Sequence, residues 1–223
     1  DYKHRVEFGE NEYKELIDYC GDRIKCFASV WDKPSVDFMK PLSNITKIPS
    51  ALITDLDLCK YARDNVGTLI ISTGMSTEEE IEKCVEVCNP DVIMHTNSTY
   101  PCPVEDLNLR YMEHLKTKYG DRMEIGYSGH EYGLVTTYAA VAMGAQWIER
   151  HITLDKNMWG SDQSSSIEPD GLIKLVKGIK AIENAPQYRD PSEAGSTVAR
   201  MRACRSRPAQ EVLRQGLLRA TDA

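Results

Sequence analysis

Short apolar runs alternate with helical patterns along most of the chain, and this alternation constrains its fold more than any other feature of the sequence. Six runs, which start roughly 21 to 31 residues apart, are predicted to be strands: 24–30, 45–48, 68–73, 92–96, 123–127 and 146–152. Helical spacing predicts helices over 11–20, 35–39, 55–64, 77–87, 104–119, 134–143 and 170–183. Strands that alternate with helices are joined by right-handed crossovers, so the pattern predicts an α/β fold with a parallel sheet.

Polar side chains lie at or just after the carboxyl end of nearly every predicted strand rather than only one of them. In chain order they are Lys47 and Ser50, Ser72 and Thr73, residues 97–100, Ser128 and His130, and His151. A (β/α)8 TIM barrel builds its active site in this way, from the carboxyl ends of several strands. We therefore expect an incomplete TIM barrel of about six βα units, with the first strand, first helix and second strand missing. The alternative is a doubly wound open sheet, in which the ligand site forms at a single switch point.

Two histidines occupy matching places in consecutive units. His130 follows one predicted strand and His151 lies near the end of the next. In a parallel sheet both imidazoles lie at the same edge, and neutral imidazoles with Asp162 and Glu149 nearby in sequence are ligands suited to a divalent metal. Each histidine alone is more simply explained as a hydrogen-bonded residue at a strand end. The matching positions favour the metal site.

The acidic balance of the chain argues against general nucleic-acid binding. The formal net charge is −7, and no basic face is visible that would contact phosphates. No apolar run approaches the roughly 18 residues that a membrane helix needs, so no membrane partner is expected. Seven cysteines make an odd count without CxxC spacing. This usage argues against a zinc ribbon or a disulfide framework and favours a reducing cytoplasm.

The composition of the chain changes after about residue 185. Residues 188–223 contain seven arginines and no lysine, and Pro191, Gly195 and Pro208 interrupt any periodic pattern. We therefore divide the chain into a partial barrel domain at 1–185 and an Arg-rich tail at 186–223. We assign no function to the tail.

Six short motifs carry a family resemblance. They are KIPS at 47–50, ISTGMS at 71–76, HTNSTYP at 95–101, GYSGHE at 126–131, ERHITLD at 149–155 and GSDQS at 160–164. In this order and spacing, over about residues 6–184, the chain resembles the sialic acid synthase (N-acetylneuraminate synthase) family. The resemblance implies a barrel truncated at its N-terminus and lacking the small C-terminal antifreeze-like domain of that family.

The resemblance implies a metal-dependent transferase that condenses phosphoenolpyruvate with an N-acetylated amino sugar, giving a sialic-acid-type nonulosonic acid and phosphate. His130 and His151 match the family's ligands for Mn²⁺ or Mg²⁺, and Asp162 matches an acidic residue on the sugar side. Lys47, Ser72, Tyr100 and Ser128 match its phosphoenolpyruvate-binding positions, and Ser50 and Ser98 lie beside them. The resemblance also implies a homodimer in the full-length parent.

The chemistry of these residue types supports the same reaction independently of the family resemblance. Lysine and hydroxyl groups donate to carboxylate and phosphate, and a metal polarises an aldehyde. Leu52 stands where the family often has an acidic residue, which leaves the sugar open between N-acetylmannosamine and a related 2,4-diacetamido sugar. The alternatives are another phosphoenolpyruvate-condensing or metal aldolase barrel, or an inactive fragment that binds ligand without turnover. We expect the 223-residue chain itself to be inactive or weakly active.

Overall fold

The computed structural model describes residues 7–185 and places strands and helices in alternation. The strands are β1 (Ile45–Ile48), β2 (Thr68–Ser72), β3 (Val92–Thr96), β4 (Glu124–Gly129) and β5 (Trp147–Arg150). The helices are α1 (Glu10–Cys20), α2 (Lys33–Met39), α3 (Leu56–Asn65), α4 (Glu78–Cys88), α5 (Tyr111–Tyr119), α6 (Val135–Ala142) and α7 (Pro169–Asn184). The predicted positions of these five strands and of six helices are confirmed, with small shifts at their ends; the helix predicted at 104–119 forms only in its second half, as α5.

The strands form one parallel sheet in chain order, β1-β2-β3-β4-β5, with each strand hydrogen-bonded to the next. A helix connects each strand to the following one, as parallel pairing requires. The predicted α/β class is therefore confirmed. Local sequence fixes several helix starts: Thr77 and Glu80 form a reciprocal capping box at α4, and the Asp55 carboxylate accepts a hydrogen bond from Leu58 N at α3.

The prediction of a strand at 24–30, the first of the six apolar runs, is wrong. This stretch meets β1 through an isolated bridge between Ser29 and Lys47, beside a hydrogen bond of 3.0 Å from Val30 N to Lys47 O. Val30 is buried, but Ile24, at the start of the run, is 65% exposed. The apolar residues that predicted a strand are mostly outside the core, so the described residues contain five strands instead of six.

The predicted helix at 104–119 is divided in the structure. A short 3-10 turn covers Val104–Asp106, and α5 begins only at Tyr111. Asn108 between them has a φ of 45°, a left-handed conformation that a continuous α-helix cannot contain. The two pieces therefore form a loop with its own turn in front of a shorter helix.

The sheet curls until its two edges approach one another. In a flat sheet, four spacings of about 4.8 Å would separate β1 from β5 by about 19 Å. Lys47 Nζ on β1 nevertheless lies 2.9 Å from Glu149 Oε1 on β5. Ile45 and Trp147, also from these two strands, pack against the same small cluster of Ile70, Val92 and Met94. The five strands therefore form an open half-barrel with a concave inner face.

The larger core lies on the convex side, between the sheet and its helices. Its strand residues include Ile71, Ile93 and Ile125, and its helix residues include Leu58, Ile81 and Leu115. Among the described residues, none of the helices is both long and apolar enough to span a membrane. The predicted Arg-rich tail, 186–223, lies outside the described residues, so the division into two domains stays a prediction.

Candidate active site

One cavity of about 600 Å³ opens at the carboxyl ends of the strands. The structure brings together there every residue that the sequence marked as a candidate. They are Lys47, Ser50, Ser72, Ser98, Tyr100, Ser128, His130, His151 and Asp162. Their roles stay predictions, but they share one site.

The concave face of every strand changes from a small or apolar residue to a polar one toward its carboxyl end. Residues two apart on a strand point to the same face, so each pair lines the interior. The pairs are Ile45 and Lys47, Ile70 and Ser72, Met94 and Thr96, Gly126 and Ser128, and Trp147 and Glu149. The apolar members build the floor of the half-barrel, and the polar members line the cavity above it.

A hydrogen-bonded network connects three of these strands. Glu149 Oε1 accepts from Lys47 Nζ at 2.9 Å and from Ser128 Oγ at 2.8 Å. Burial opposes ionisation of Glu149, but the charge and hydrogen bond of Lys47, with that of Ser128, outweigh it and lower the pKa of the carboxyl below its usual range. The network therefore holds an ionised carboxylate against a lysine whose side chain is 11% exposed.

A second corner of the cavity consists of closely packed serines. Ser50 Oγ accepts a hydrogen bond from Gly74 N at 3.1 Å. A Cβ at Gly74 would lie 2.2 Å from Ser98 Oγ and 2.9 Å from Ser50 Oγ, so glycine is required for this approach. Ser72 Oγ is buried and has no hydrogen-bond partner among the described residues. It is a free hydroxyl in the cavity wall, available to an anionic ligand.

The two histidines lie side by side at the cavity mouth. The His130 and His151 ring centroids are 5.1 Å apart, and the Tyr100 ring covers His130 at 4.0 Å. His130 Nδ1 lies 2.6 Å from the carbonyl oxygen of Asn97, to which it donates in the neutral tautomer. Burial lowers the pKa of His130, although the Asn97 carbonyl opposes this. The His130 ring is therefore neutral, and its Nε2 is unprotonated and carries a lone pair.

This donor set fits a divalent metal with open coordination positions. A metal-bound histidine usually donates its other N–H to a carbonyl or carboxylate, as His130 does to Asn97. Asp162 Oδ2 lies 3.9 Å from His151 Nδ1, so an acidic group stands beside the second ring. Within 7–185, no three His, Cys, Asp or Glu side chains are grouped closely enough to hold an ion by themselves. The chain supplies two imidazoles, and further ligands would come from substrate or water.

Several cavity residues were not among the sequence candidates for substrate binding or catalysis. Glu149 was noted only as a neighbour of the histidines, but its place two residues before His151 on a strand puts it on the concave face. Ser29, within the stretch predicted to be a strand, and Trp31, just after it, also line the cavity. No local pattern identifies Ser29 or Trp31, because their position in the cavity depends on how this part of the chain lies against β1.

Comparison with known proteins gives consistent matches. The NeuB family model matches residues 1–190. N-acetylneuraminate-9-phosphate synthase of Mus musculus is 36% identical over 191 residues, which cover 83% of this chain and 53% of that protein. N,N'-diacetyllegionaminic acid synthase of Campylobacter jejuni is 36% identical over 190 residues, covering 81% of this chain and 56% of that protein. The chain thus spans about half the length of the curated relatives it matches.

Solved structures share the fold. An N-acetylneuraminic acid synthetase from Leptospira borgpetersenii, crystallised with citrate, superposes with a TM-score of 0.78 at 33% identity and covers 87% of this chain and 71% of that one. A truncated 3-deoxy-D-arabino-heptulosonate 7-phosphate synthase from Thermotoga maritima superposes with a TM-score of 0.68 at 17% identity, covering 81% of this chain and 74% of that one. At that identity the second match concerns the fold alone.

Proposed function

The chain belongs to the NeuB family, and from this membership and the cavity we propose that it carries the catalytic half-barrel of a synthase that condenses phosphoenolpyruvate with an N-acetylated amino sugar. The products are a nonulosonic acid of the sialic acid type and phosphate. Relatives are named as N-acetylneuraminate-9-phosphate, diacetyllegionaminic and pseudaminic acid synthases. The sugar proposed here is accordingly N-acetylmannosamine or a related 2,4-diacetamido sugar.

The observation that carries this proposal is that Lys47 and the free hydroxyl of Ser72 line the same cavity of an acidic protein. Phosphoenolpyruvate has a carboxylate and a phosphate, and both need nearby donors. Lys47 Nζ and Ser128 Oγ both donate to Glu149 Oε1. An anion entering the cavity would accept hydrogen bonds from Lys47 and Ser72.

The half-barrel contributes binding and orientation to the reaction. Ser50, Ser72 and Ser98 form the corner of closely packed serines, which we call the anion corner. Tyr100 shields the His130 ring from solvent. Asp162, beside His151, is placed to accept hydrogen bonds from sugar hydroxyls. Holding two substrates in line can lower a barrier by about 7–11 kcal/mol in the most favourable cases, which makes positioning the largest contribution.

The chemistry then needs one carbon–carbon bond and one loss of phosphate. C3 of phosphoenolpyruvate bonds to the sugar aldehyde carbon, and positive charge develops at C2. Water adds to C2 and gives one proton to a base for which ionised Glu149 is our candidate, while the aldehyde oxygen, left with the electron pair of its C=O bond, takes up a proton and becomes a hydroxyl. The C2–O bond to phosphate then breaks, the second proton of the added water is lost as the C2 ketone forms, and phosphate leaves. A divalent ion held by His130 and His151, Mn²⁺ or Mg²⁺, would polarise the aldehyde when bound.

Phosphate release tests this function. The full-length parent is incubated with phosphoenolpyruvate, Mn²⁺ and each candidate N-acetylated sugar, and free phosphate and the nine-carbon product are measured. We expect product to depend on both substrates and to fall by at least about 100-fold in Lys47→Ala, since a positioned charge is lost. Lys60→Ala, at an exposed lysine on α3 that pairs with Asp64, is the matched control.

The alternatives give different outcomes in the same assay. A metal aldolase would form product from a donor other than phosphoenolpyruvate, without free phosphate. A chain that only binds ligand would give neither product nor phosphate. We propose that the 223-residue chain is weakly active or inactive and that the full-length parent acts as a cytoplasmic homodimer. Full turnover by the 223-residue chain would contradict the first part of that statement.

A further inference from the structure

A second cavity of about 650 Å³ lies beside the catalytic one, between the starts of α4 and α5. We call it the rim cavity; residues 73–78, 95–99 and 106–108, from the end of β3 and the segments that follow β2 and β3, form its walls with Ile81 and Tyr111 from the two helices. Met75, Thr96 and Ser98 line both cavities. The two spaces therefore share a wall but have different linings.

His95 supplies an unused acceptor in the lining of the rim cavity. Thr96 points to the concave face, so its neighbour His95 points to the helix side, where it is 4% exposed. His95 Nε2 lies 2.9 Å from Leu107 O, but Nδ1 has no hydrogen-bond partner among the described residues. Tyr111 and Tyr127 pack against the ring at centroid distances of 5.6 and 6.1 Å and fix its orientation.

The protonation of His95 follows from these contacts. Burial lowers its pKa, although the Leu107 and Asn108 backbone opposes the shift. The neutral ring donates from Nε2 to Leu107 O, so Nδ1 is unprotonated and its lone pair can accept a hydrogen bond. A buried acceptor of this kind is costly unless a ligand or a water donates to it. A ligand would satisfy this acceptor with a hydroxyl or N–H group.

Charge excludes anions from the rim cavity. None of its lining residues is a lysine or arginine, and two of them are the acids Glu78 and Asp106. Hydrogen bonds from Lys118 and Tyr111 lower the pKa of Glu78 to about 2, so this carboxylate is ionised and already paired. A phosphate or carboxylate ligand would meet negative charge without a cation to bind it. A cation would find Glu78 already engaged by Lys118.

The rest of the lining combines polar and apolar surfaces. Its polar groups are hydroxyls and amides, among them Ser76, Asn97, Thr99 and Asn108. Its apolar side chains, Ile81 and Leu107, lie beside the Tyr111 ring. A sugar ring has the same combination of hydroxyl edges and apolar faces. We propose that the rim cavity binds an uncharged, hydroxyl-rich molecule of monosaccharide size, with one hydroxyl donating to His95 Nδ1.

Ligand-detected NMR with defined probes tests this site on the full chain. The probes are D-mannose and N-acetyl-D-glucosamine as neutral sugars, D-glucosamine as a cation and D-glucose 6-phosphate as an anion. Saturation transfer to the neutral sugars is expected to exceed transfer to either charged probe. Thr99→Trp, which fills the rim cavity from an exposed position, should weaken binding by about tenfold, as should His95→Phe.

Two controls keep the outcome interpretable. Thr117→Trp places the same side chain on the exposed side of α5, away from both cavities, and should leave binding unchanged. Asp162→Asn removes a group that lines only the catalytic cavity and should also leave the rim signal in place. Since Thr99 is exposed, Thr99→Trp should fold even if His95→Phe does not. Equal saturation transfer in Thr99→Trp and wild type, or preferential binding of either charged probe, would overturn the proposal.

Discussion

Arg150 on β5 and Glu131, directly after β4, form a buried ion pair with Arg150 Nη1 3.1 Å from Glu131 Oε1. Their side chains are 2% and 0% exposed. Arg150 also donates to the Glu131 carbonyl at 2.7 Å, and Thr136, Thr137 and Tyr127 donate to the Glu131 carboxylate. Glu131 follows His130 and Arg150 precedes His151 in the sequence. The pair therefore fixes the two strand ends that carry the proposed metal ligands.

Removal of one member of this pair should be strongly destabilising. Arg150→Met leaves the Glu131 carboxylate buried without its cation, and we expect the free energy of unfolding to fall by about 3–5 kcal/mol. The measurement is urea unfolding followed by circular dichroism. Lys60→Met breaks an exposed ion pair with Asp64 and should cost no more than about 1 kcal/mol. Similar losses in both variants would show that burial of the Glu131 pair adds little.

A second charged group makes stability depend on pH in the acid range. Hydrogen bonds from Lys118, then Tyr111, lower the pKa of Glu78 from 4.5 to about 2. Because the folded-state pKa is the lower one, the contribution is fully present above about pH 4.5 and is lost as the pH falls toward about 2. The Glu78 side chain is 39% exposed, so solvent screening reduces the effect.

The expected result is a loss of unfolding free energy between about pH 4.5 and 2 that is smaller in Glu78→Gln. Lys118→Met removes the largest cause of the shift and should reduce the same pH dependence. Thermal unfolding followed across this range provides the measurement. An unchanged pH profile in both variants would mean that Glu78 ionises alike in the folded and unfolded chain.

The sequence predicted β2 to β5 because each is a short apolar run whose polar neighbours begin at its carboxyl end. The stretch at 24–30 has the same composition, yet Ile24 is exposed, since its burial depends on what packs beyond β1. Motif order grouped Lys47 with the two histidines. It could not show that Lys47 meets Glu149, because contact across four strand spacings depends on the curvature of the whole sheet. His95 lies inside an apolar run, as an ordinary core histidine does, and its unpaired Nδ1 is visible only in the structure.

Gly74 offers a test of the proposed anion corner. Gly74→Ala places a Cβ 2.2 Å from Ser98 Oγ and 2.9 Å from Ser50 Oγ, so both hydroxyls must move. We expect phosphoenolpyruvate affinity to fall by about 10- to 100-fold, because displaced donors no longer match the anion. Isothermal titration measures it. Gly171→Ala is the control, since the nearest atom to its added Cβ is Ile167 Cβ at 3.5 Å, an ordinary contact. Equal affinities in the two variants would place the anion elsewhere.

The two neighbouring imidazoles should bind Mn²⁺ together. His130→Ala and His151→Ala should each weaken Mn²⁺ binding by at least about 100-fold, since loss of a direct ligand costs more than the 10- to 100-fold typical of an outer-shell partner. Electron paramagnetic resonance of free Mn²⁺ measures binding without any reaction. His114→Ala removes a half-exposed histidine that pairs with Glu78, outside the cavity, and should leave the affinity unchanged. If both cavity variants bound Mn²⁺ as tightly as the wild type, the hydrogen bond from His130 to Asn97 would be a purely structural strand-end contact.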